Sequence, residues 1–104
     1  MFVFIESAVF DRIRPSYLDD DEYGDLQQYM IRNPEAGAVV PGSGGVRKLR
    51  WRHEGTGKRG GLRVIYYLRR EPNEFSMLTL YAKAKQENAP AHILKRLKEA
   101  FENE

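Results

Sequence analysis

The chain has 104 residues and a formal net charge of +2, with 17 Lys and Arg against 15 Asp and Glu. This length corresponds to one domain with a single core, and 41% hydrophobic with 31% charged residues is a globular composition. The absence of cysteine excludes a disulfide framework and thiol chemistry, and it fits a cytoplasmic location. The apolar run at residues 2–5 ends at Glu6, so we expect neither a signal peptide nor a membrane span.

The first third of the chain predicts one strand and two helices. Residues 2–5 form a short apolar run that is typical of a buried strand. Residues 7–14 suit a short helix, which ends before Pro15 because the residue preceding a proline avoids helical geometry. Residues 19–33 predict a longer helix, since acidic side chains oppose the dipole at its start and apolar residues form one stripe along it.

The rest of the chain predicts three strands and a closing helix. Residues 38–45 are rich in glycine but lack the Gly-Lys-Ser/Thr ending of a phosphate loop, so we interpret them as a turn. Strands are predicted at 46–52, 62–69 and 74–82, where β-branched and aromatic residues alternate with polar ones. Residues 90–103 predict a helix with a proline at its first position and an apolar face.

This order, β-α-α-β-β-β-α, predicts an α+β fold in a single domain that spans residues 1–104. The short connections between the last three strands favour an antiparallel meander. We therefore expect a small, mostly antiparallel sheet with the helices packed on one face, which leaves the other face open.

Positive charge is concentrated in one quarter of the chain. Residues 1–44 carry a charge of −5, residues 45–70 carry +8 and residues 71–104 carry −1. Such a segment is a candidate for binding an anion, and nucleic acid is the commonest anionic partner of this kind. The alternative is a solvated charged face, which is the usual position of charged side chains.

Strand alternation assigns the charges of this segment to one face. Leu49 and Trp51 are expected to pack against the helices, so Lys48 and Arg50 project from the open face. In the last strand, two leucines at positions 78 and 80 are expected to face the helices and to send Tyr81 and Lys83 to the other side. A bulge after the glycine pair at 60–61 would direct Arg63 there too. The predicted polar face comprises Lys48, Arg50, Lys58, Arg59, Arg63, Tyr81 and Lys83.

These residue types suit RNA in two ways. Arginine and lysine bind phosphates through charge-assisted hydrogen bonds, and tyrosine stacks on bases. Cleavage would also need a base for the 2′-hydroxyl, stabilisation of the phosphorane charge and an acid for the leaving oxygen. The conventional acid–base candidates are His53, Glu54 and His92. On the residues alone, an RNA-binding domain and a ribonuclease both remain open.

Four motifs resemble those of RelE-like bacterial toxins, specifically the HigB-type branch. They are NPEAGAVVPG, GSGGVRKLRW, GKRGGLRVIYY and LTLYAK, and the resemblance covers residues 17–84 in order. It implies a RelE/microbial RNase-like fold and a toxin of a type II toxin–antitoxin pair. It also implies an endoribonuclease that cuts mRNA on the ribosome without a metal or other cofactor. The implied partner is an antitoxin, often a helix-turn-helix protein, whose complex with the toxin binds operator DNA.

The resemblance also implies roles for individual residues. Lys48 and Arg50 match the basic pair that contacts the mRNA backbone, and Arg63 matches the arginine that stabilises the scissile phosphate. Tyr81 and Lys83 match the motif that ends the last strand near the cleavage site. We therefore expect catalytic roles for Arg63, Tyr81 and Lys83, and RNA binding by Lys48, Arg50, Lys58, Arg59 and Tyr66.

The C-terminal segment departs from the family pattern. Typical RelE toxins carry a functional tyrosine there, whereas residues 86–104 contain none. The resemblance consequently assigns no general base, and His53 and His92 are the histidines that could serve as one. The alternative function is a non-catalytic protein of the same fold that binds RNA or antitoxin, and either blocks translation or only represses its operon.

Overall fold

The computed structural model describes residues 1–52, 61–84 and 89–103. Within these ranges, five strands form one sheet and three α-helices pack on it, as the α+β prediction required. Each predicted strand and helix is present within one residue of its predicted bounds. The strands are β1 (Val3–Glu6), β2 (Ala38–Val39), β3 (Arg47–Trp51), β4 (Leu62–Arg69) and β5 (Glu74–Ala82). The helices are α1 (Ala8–Ile13), α2 (Asp20–Arg32) and α3 (Ala91–Glu102), and a 3-10 turn at Arg14–Ser16 follows α1.

The strand order in the sheet is β1-β5-β4-β3-β2. β3, β4 and β5 form the predicted antiparallel meander, and β1 pairs with β5 in parallel. The two-residue β2 lies within the connection that the sequence predicts as a turn, and it pairs with β3 at one edge. The other edge of the sheet is β1.

A bulge in β5 changes which side chains share a face. Ile65 pairs with Thr79 and Tyr66 pairs with Met77, so Leu78 is the extra residue on β5. Leu78 therefore packs with Ile65 on one face, while Leu80 packs on the opposite face. The prediction that both leucines face the same side is wrong, because strict alternation does not hold across a bulge. Beyond the bulge, alternation resumes.

Helices cover both faces of the sheet rather than one. The larger core lies under α1 and α2 and includes Phe10, Leu26 and Met30 against the sheet. The smaller core lies under α3, where Leu94 packs with Ile65 and with three other buried side chains. β4 is apolar on both faces, so it can carry helices on both sides. The face that was expected to be open is therefore partly covered by α3.

Side-chain caps fix where the first two helices begin. The Ser7 hydroxyl accepts a hydrogen bond from the Phe10 amide at 3.0 Å and donates one to the Leu78 carbonyl at 2.8 Å, which ties α1 to β5. Asp19 and Glu22 form a reciprocal capping box at the start of α2. No helix in the described ranges is long and apolar enough to cross a membrane.

Candidate nucleic-acid interface

The centre of the candidate interface is a row of three side chains that cross the sheet. In the register, Arg50 of β3 lies opposite Arg63 of β4, and Arg63 lies opposite Tyr81 of β5. Directly opposed residues on one face have Cβ atoms about 4.5–5.5 Å apart. Arg50, Arg63 and Tyr81, named the basic row below, are therefore immediate neighbours on the face that carries α3, although they come from three different strands.

The next row along the sheet lies at the boundary between the interface and the smaller core under α3. Lys48, Ile65 and Thr79 lie opposite one another on the same face. Ile65 is fully buried and packs with Leu94 of α3. Only the outer two positions of this row are polar, so Lys48 extends the basic row along β3 while α3 covers the sheet beside it.

Lys83 follows β5 directly, and its backbone is bonded to the residue that precedes β4. Its backbone amide donates a hydrogen bond to the Gly61 carbonyl at 3.1 Å, just before β4 begins. Gly61 has a φ of +65°, and a Cβ atom added there would lie 2.6 Å from the Trp51 carbonyl oxygen. Only glycine fits this conformation and this close approach without strain. Gly61 thereby sets the start of β4, two residues before Arg63.

Arg63 is almost enclosed, with 7% of its surface exposed. Its Nη1 donates a hydrogen bond to the Leu62 carbonyl oxygen at 3.3 Å. A guanidinium keeps its proton under all ordinary conditions, and burying it is costly unless a counter-charge is near. The residue directly opposite on β3 is Arg50, a like charge, which destabilises a sheet. The pair therefore concentrates positive charge at the centre of the basic row.

Tyr81 adds an unsatisfied donor to the same row. The residue is 6% exposed, and its hydroxyl has no hydrogen-bond partner among the residues that the structure describes. A buried polar group without a partner costs about 1–3 kcal/mol, so natural proteins contain few of them. Tyr81 also packs in the smaller core with Leu94, so a phosphate oxygen beside Arg63 would reach this hydroxyl only after the side chains around it move.

Chemically, the basic row can hold one phosphate group. Two guanidinium groups and one phenolic hydroxyl offer donors from adjacent strands, and arginine binds phosphate oxygens in a bidentate manner. Lys48 and Lys83 lie on either side and can contact the neighbouring phosphates of a nucleic-acid strand. The arrangement suits stabilisation of negative charge more directly than proton transfer. His92, in the first turn of α3, is exposed.

Tyr66 does not belong to this interface, and the prediction that it binds RNA is wrong. The residue is 0% exposed and lies in the core under α1 and α2, on the other face from Arg63. Its hydroxyl donates a hydrogen bond to the Pro34 carbonyl at 2.9 Å and accepts one from the Gly37 amide at 3.0 Å. Burial raises the pKa of Tyr66 above its ordinary value. Its shared parity with Val64 was the available signal for a core position.

The remaining predicted positions divide into two groups. Lys58, Arg59, His53 and Glu54 lie outside the described residues, so their roles stay predictions. Leu49 and Trp51 pack toward α1 and α2 as expected, and the Trp51 ring lies 5.3 Å from that of Tyr29. The structure thus brings together Lys48, Arg50, Arg63 and Tyr81 on one face, with Lys83 at its end.

Sequence reasoning did not predict that α3 covers part of the face that carries the basic row. The Lys98 side chain on α3 donates a hydrogen bond to the Gly44 carbonyl at 3.0 Å and lies 4.3 Å above the Tyr67 ring. These contacts, with the buried Leu94, fix α3 over β4, β5 and the turn that precedes β3. The apolar stripe of α3 was visible in the sequence, but periodicity does not say which face of a sheet a helix will cover.

The motifs that resemble RelE-like toxins coincide with the strands that carry the basic row. GSGGVRKLRW contains β3, GKRGGLRVIYY contains the first part of β4, and LTLYAK ends β5. The functional interpretation rests on these motifs and on the geometry of the row. No model of a known protein family matches the chain.

Proposed function

We propose that this protein is the toxin of a type II toxin–antitoxin pair, a metal-independent endoribonuclease that cleaves mRNA on the ribosome in the cytoplasm. The observation that carries the proposal is the basic row. Arg63 is buried opposite a second arginine and beside a tyrosine hydroxyl that has no partner in the described part of the chain. Guanidinium groups and a phenolic hydroxyl on adjacent strands are suitable donors to a phosphate, and the resemblance identifies that phosphate as one of the mRNA backbone.

The proposed reaction is attack by a ribose 2′-hydroxyl on the adjacent phosphorus. A bond forms between the 2′-oxygen and phosphorus while the bond from phosphorus to the 5′-oxygen breaks. The products are a 2′,3′-cyclic phosphate and a 5′-hydroxyl, because the proton lost by the 2′-oxygen is balanced by one gained at the 5′-oxygen. Negative charge grows on the non-bridging oxygens, so a preorganised cation beside them lowers the barrier.

Each residue of the interface has a place in this reaction. Arg63 stabilises the charge of the phosphorane, and Tyr81 donates a hydrogen bond to it or exchanges a proton with the leaving oxygen. Lys48, Arg50 and Lys83 hold the flanking backbone, which positions the 2′-hydroxyl for attack. Charge stabilisation is the role that the burial of Arg63 at the centre of the row supports most directly.

Substitution of Arg63 tests the proposal. Removing one preorganised charge-stabilising contact typically lowers the rate by about 10²–10³-fold. We therefore expect Arg63→Ala to abolish growth arrest and mRNA cleavage, with Arg63→Lys only partly active because it keeps the charge but loses the fork of donors. Arg69→Ala is the matched control, since it removes an exposed arginine from the far end of the same strand.

Circular dichroism and thermal melting would establish that each variant is folded before cleavage is compared. Mapping of mRNA 5′ ends after induction measures cleavage directly. If a folded Arg63→Ala variant cut messages as efficiently as the wild type, this assignment of the active site would be wrong.

A second candidate function is a non-catalytic protein that binds RNA and blocks translation. What favours it is the composition of the row: none of the residues paired with it in the described register carries a carboxylate or an imidazole that could act as general base. The same 5′-end mapping separates the two candidates. Discrete cuts in translated messages support the nuclease, whereas growth arrest with intact messages supports the blocker.

The partner proposed for either function is a cognate antitoxin, a helix-turn-helix protein through which the complex binds operator DNA. This part of the proposal rests on the resemblance alone. Co-expression of the chain with a small helix-turn-helix gene found beside it, followed by purification and an operator-binding assay, would test it. Rescue of growth together with a stable complex is the expected result, and toxicity that persists beside every such gene would contradict it.

A further inference from the structure

A second concave site lies on the α3 face, at the opposite end of β5 from the basic row. It is a groove of about 430 Å³ between β1, the start of β5 and the C-terminus of α3. Its lining includes Ile5, Phe101 and Glu74. Glu74 is seven residues before Tyr81 on β5, which corresponds to roughly 23 Å along a strand. The groove is therefore distinct from the interface proposed to bind RNA.

The groove adjoins a strand edge that has no neighbour in the described part of the chain. Among the described strands, β1 pairs only with β5. The amides of Val3 and Ser7 donate inward, to the carbonyls of Asn73 at 3.1 Å and Met77 at 2.9 Å. Alternation along the strand then turns the backbone N–H and C=O groups of the intervening residues 4 and 6 outward. An edge with free backbone groups is a template for another strand.

The side chains of β1 anchor the strand on its inner face and present an apolar surface on the groove side. On the inner face, the rings of Phe2 and Phe4 each stack on Phe75 with centroids 4.8 Å apart. On the groove side, Val3 is 49% exposed and Ile5 is 38% exposed. An edge strand with two exposed β-branched residues offers contact area for alternate side chains of an added strand.

The charge around the groove specifies the kind of strand that fits. Four glutamates and one arginine line it, a net charge of −3, and that arginine, Arg69, is already paired with Glu102 at 3.0 Å. Glu71 and Glu74 make no ion pair with any described residue. A second copy of this chain would bring two acidic grooves together, which like-charge repulsion disfavours. A basic segment would be attracted instead.

We propose that the edge of β1 and the adjoining groove bind an extended segment of a partner protein whose every second side chain faces the groove, and in which these groove-facing positions are lysine or arginine in turn with valine or isoleucine. The segment adds to the sheet as a sixth strand beside β1. Its apolar side chains pack on Ile5 and Phe101, and its basic side chains reach Glu71 and Glu74. The site does not include the basic row, so peptide binding here and RNA cleavage can be tested separately.

A synthetic peptide provides the test. The probe is the acetylated, amidated hexapeptide Lys-Thr-Val-Thr-Lys-Thr, whose lysines and valine share one face of a strand, and the control peptide has glutamate in place of lysine. NMR titration of the full chain is expected to shift the backbone amides of β1 and the start of β5 with the lysine peptide only. Binding should weaken as salt concentration rises, because the attraction is partly between exposed charges.

Variants locate the contact. The double variant Glu71→Lys with Glu74→Gln should bind the lysine peptide about tenfold more weakly, since it removes or reverses rim charges that each contribute modestly. Glu99→Lys, an exposed charge reversal on α3 outside the groove lining, is the control and should bind like the wild type. RNA cleavage should be unchanged in all of these variants.

Three outcomes would overturn the proposal. The first is equal binding of the two peptides, the second is an amide-shift pattern centred on β2 or the basic row, and the third is undiminished affinity in the double variant. Sedimentation of the chain alone addresses the competing occupant. Concentration-dependent dimers that disappear with Ile5→Lys would assign the β1 edge to a second copy and refute a basic partner.

Discussion

Arg50 and Arg63 face each other directly across β3 and β4, one exposed and the other almost buried. Like charges in directly opposed positions weaken a sheet, and a hydrophobic or oppositely charged pair would stabilise it. The fold carries this pair in its central strands, where the surrounding register is regular. A site that binds an anion accounts for the pair, because a bound anion would offset the repulsion between the two guanidinium groups.

The first prediction is that Arg50→Gln increases stability while it weakens RNA binding. Removal of one like charge should raise the free energy of unfolding by about 0.2–1 kcal/mol. The loss of one phosphate contact should lower affinity for a 2′-O-methyl RNA, which cannot undergo cleavage, and reduce the slope of log affinity against log salt by about 1. Urea denaturation and binding titrations at several salt concentrations measure the two effects.

Arg32→Gln, which removes an exposed arginine from the last turn of α2, is the control for RNA affinity. It should leave the affinity and the salt dependence as they are in the wild type. If Arg50→Gln lost stability and kept full RNA affinity, Arg50 would be a structural residue and would not contact the backbone.

The second prediction concerns the Tyr81 hydroxyl. Because this group has no partner in the described part of the chain, Tyr81→Phe should leave the melting temperature unchanged or raise it. If the hydroxyl acts on the phosphate, cleavage should fall by about 10²-fold while RNA affinity changes little. Single-turnover cleavage and RNA titration separate these quantities.

Tyr67→Phe is the matched control, since Tyr67 is also a tyrosine near α3 but its ring contacts Lys98. Cleavage by this variant should match that of the wild type. A Tyr81→Phe enzyme with a wild-type cleavage rate would remove Tyr81 from the reaction and leave only the arginines.

The sequence predicted the helices and strands and most of the basic row. It did not predict which side chains and which helix lie on each face of the sheet. Every strand and helix except the two-residue β2 could be placed because hydrophobic periodicity is local, and Lys48 and Arg50 fall on one face by alternation alone. The bulge at Leu78 could not be predicted, since it depends on how β4 and β5 pair. The position of α3 depends on tertiary packing, because β4 is apolar on both faces and local pattern cannot choose between them.

The third prediction treats Tyr66 as a core residue. Tyr66→Phe removes the partner of the Gly37 amide and of the Pro34 carbonyl, so it should lower the free energy of unfolding by about 1–3 kcal/mol. Growth arrest should persist at temperatures where the variant is folded. This is the opposite of the pattern expected for Tyr81→Phe, in which activity falls and stability does not.

The pH dependence of Tyr66→Phe adds a second measurement. The pKa of Tyr66 is raised above its ordinary value of 10.0, so the neutral phenol is favoured in the folded state. Its contribution to stability is complete below pH 10 and is lost as pH rises toward the folded pKa. The difference in melting temperature between wild type and variant should therefore narrow above pH 10. A difference that stays constant or widens would contradict this view of the buried hydroxyl.

The last prediction is that Gly61 positions the active site through the backbone. Gly61→Ala forces an L-residue to a φ of +65° and places its Cβ 2.6 Å from the Trp51 carbonyl oxygen, a contact that the backbone must move to relieve. The cost should be about 1–3 kcal/mol of stability. Because Arg63 follows two residues later, cleavage should fall further than the lost folded population explains.

Gly24→Ala is the control, since Gly24 lies within α2 and an added Cβ would meet nothing within 4 Å. That variant should gain roughly 0.5–1 kcal/mol, because alanine is the better helix former, and its cleavage should be unchanged. Thermal melting and single-turnover cleavage are measured for both variants under conditions in which each is fully folded. If Gly61→Ala then cleaved RNA at the wild-type rate, the start of β4 would tolerate displacement, and the placement of Arg63 would depend on its cross-strand neighbours instead.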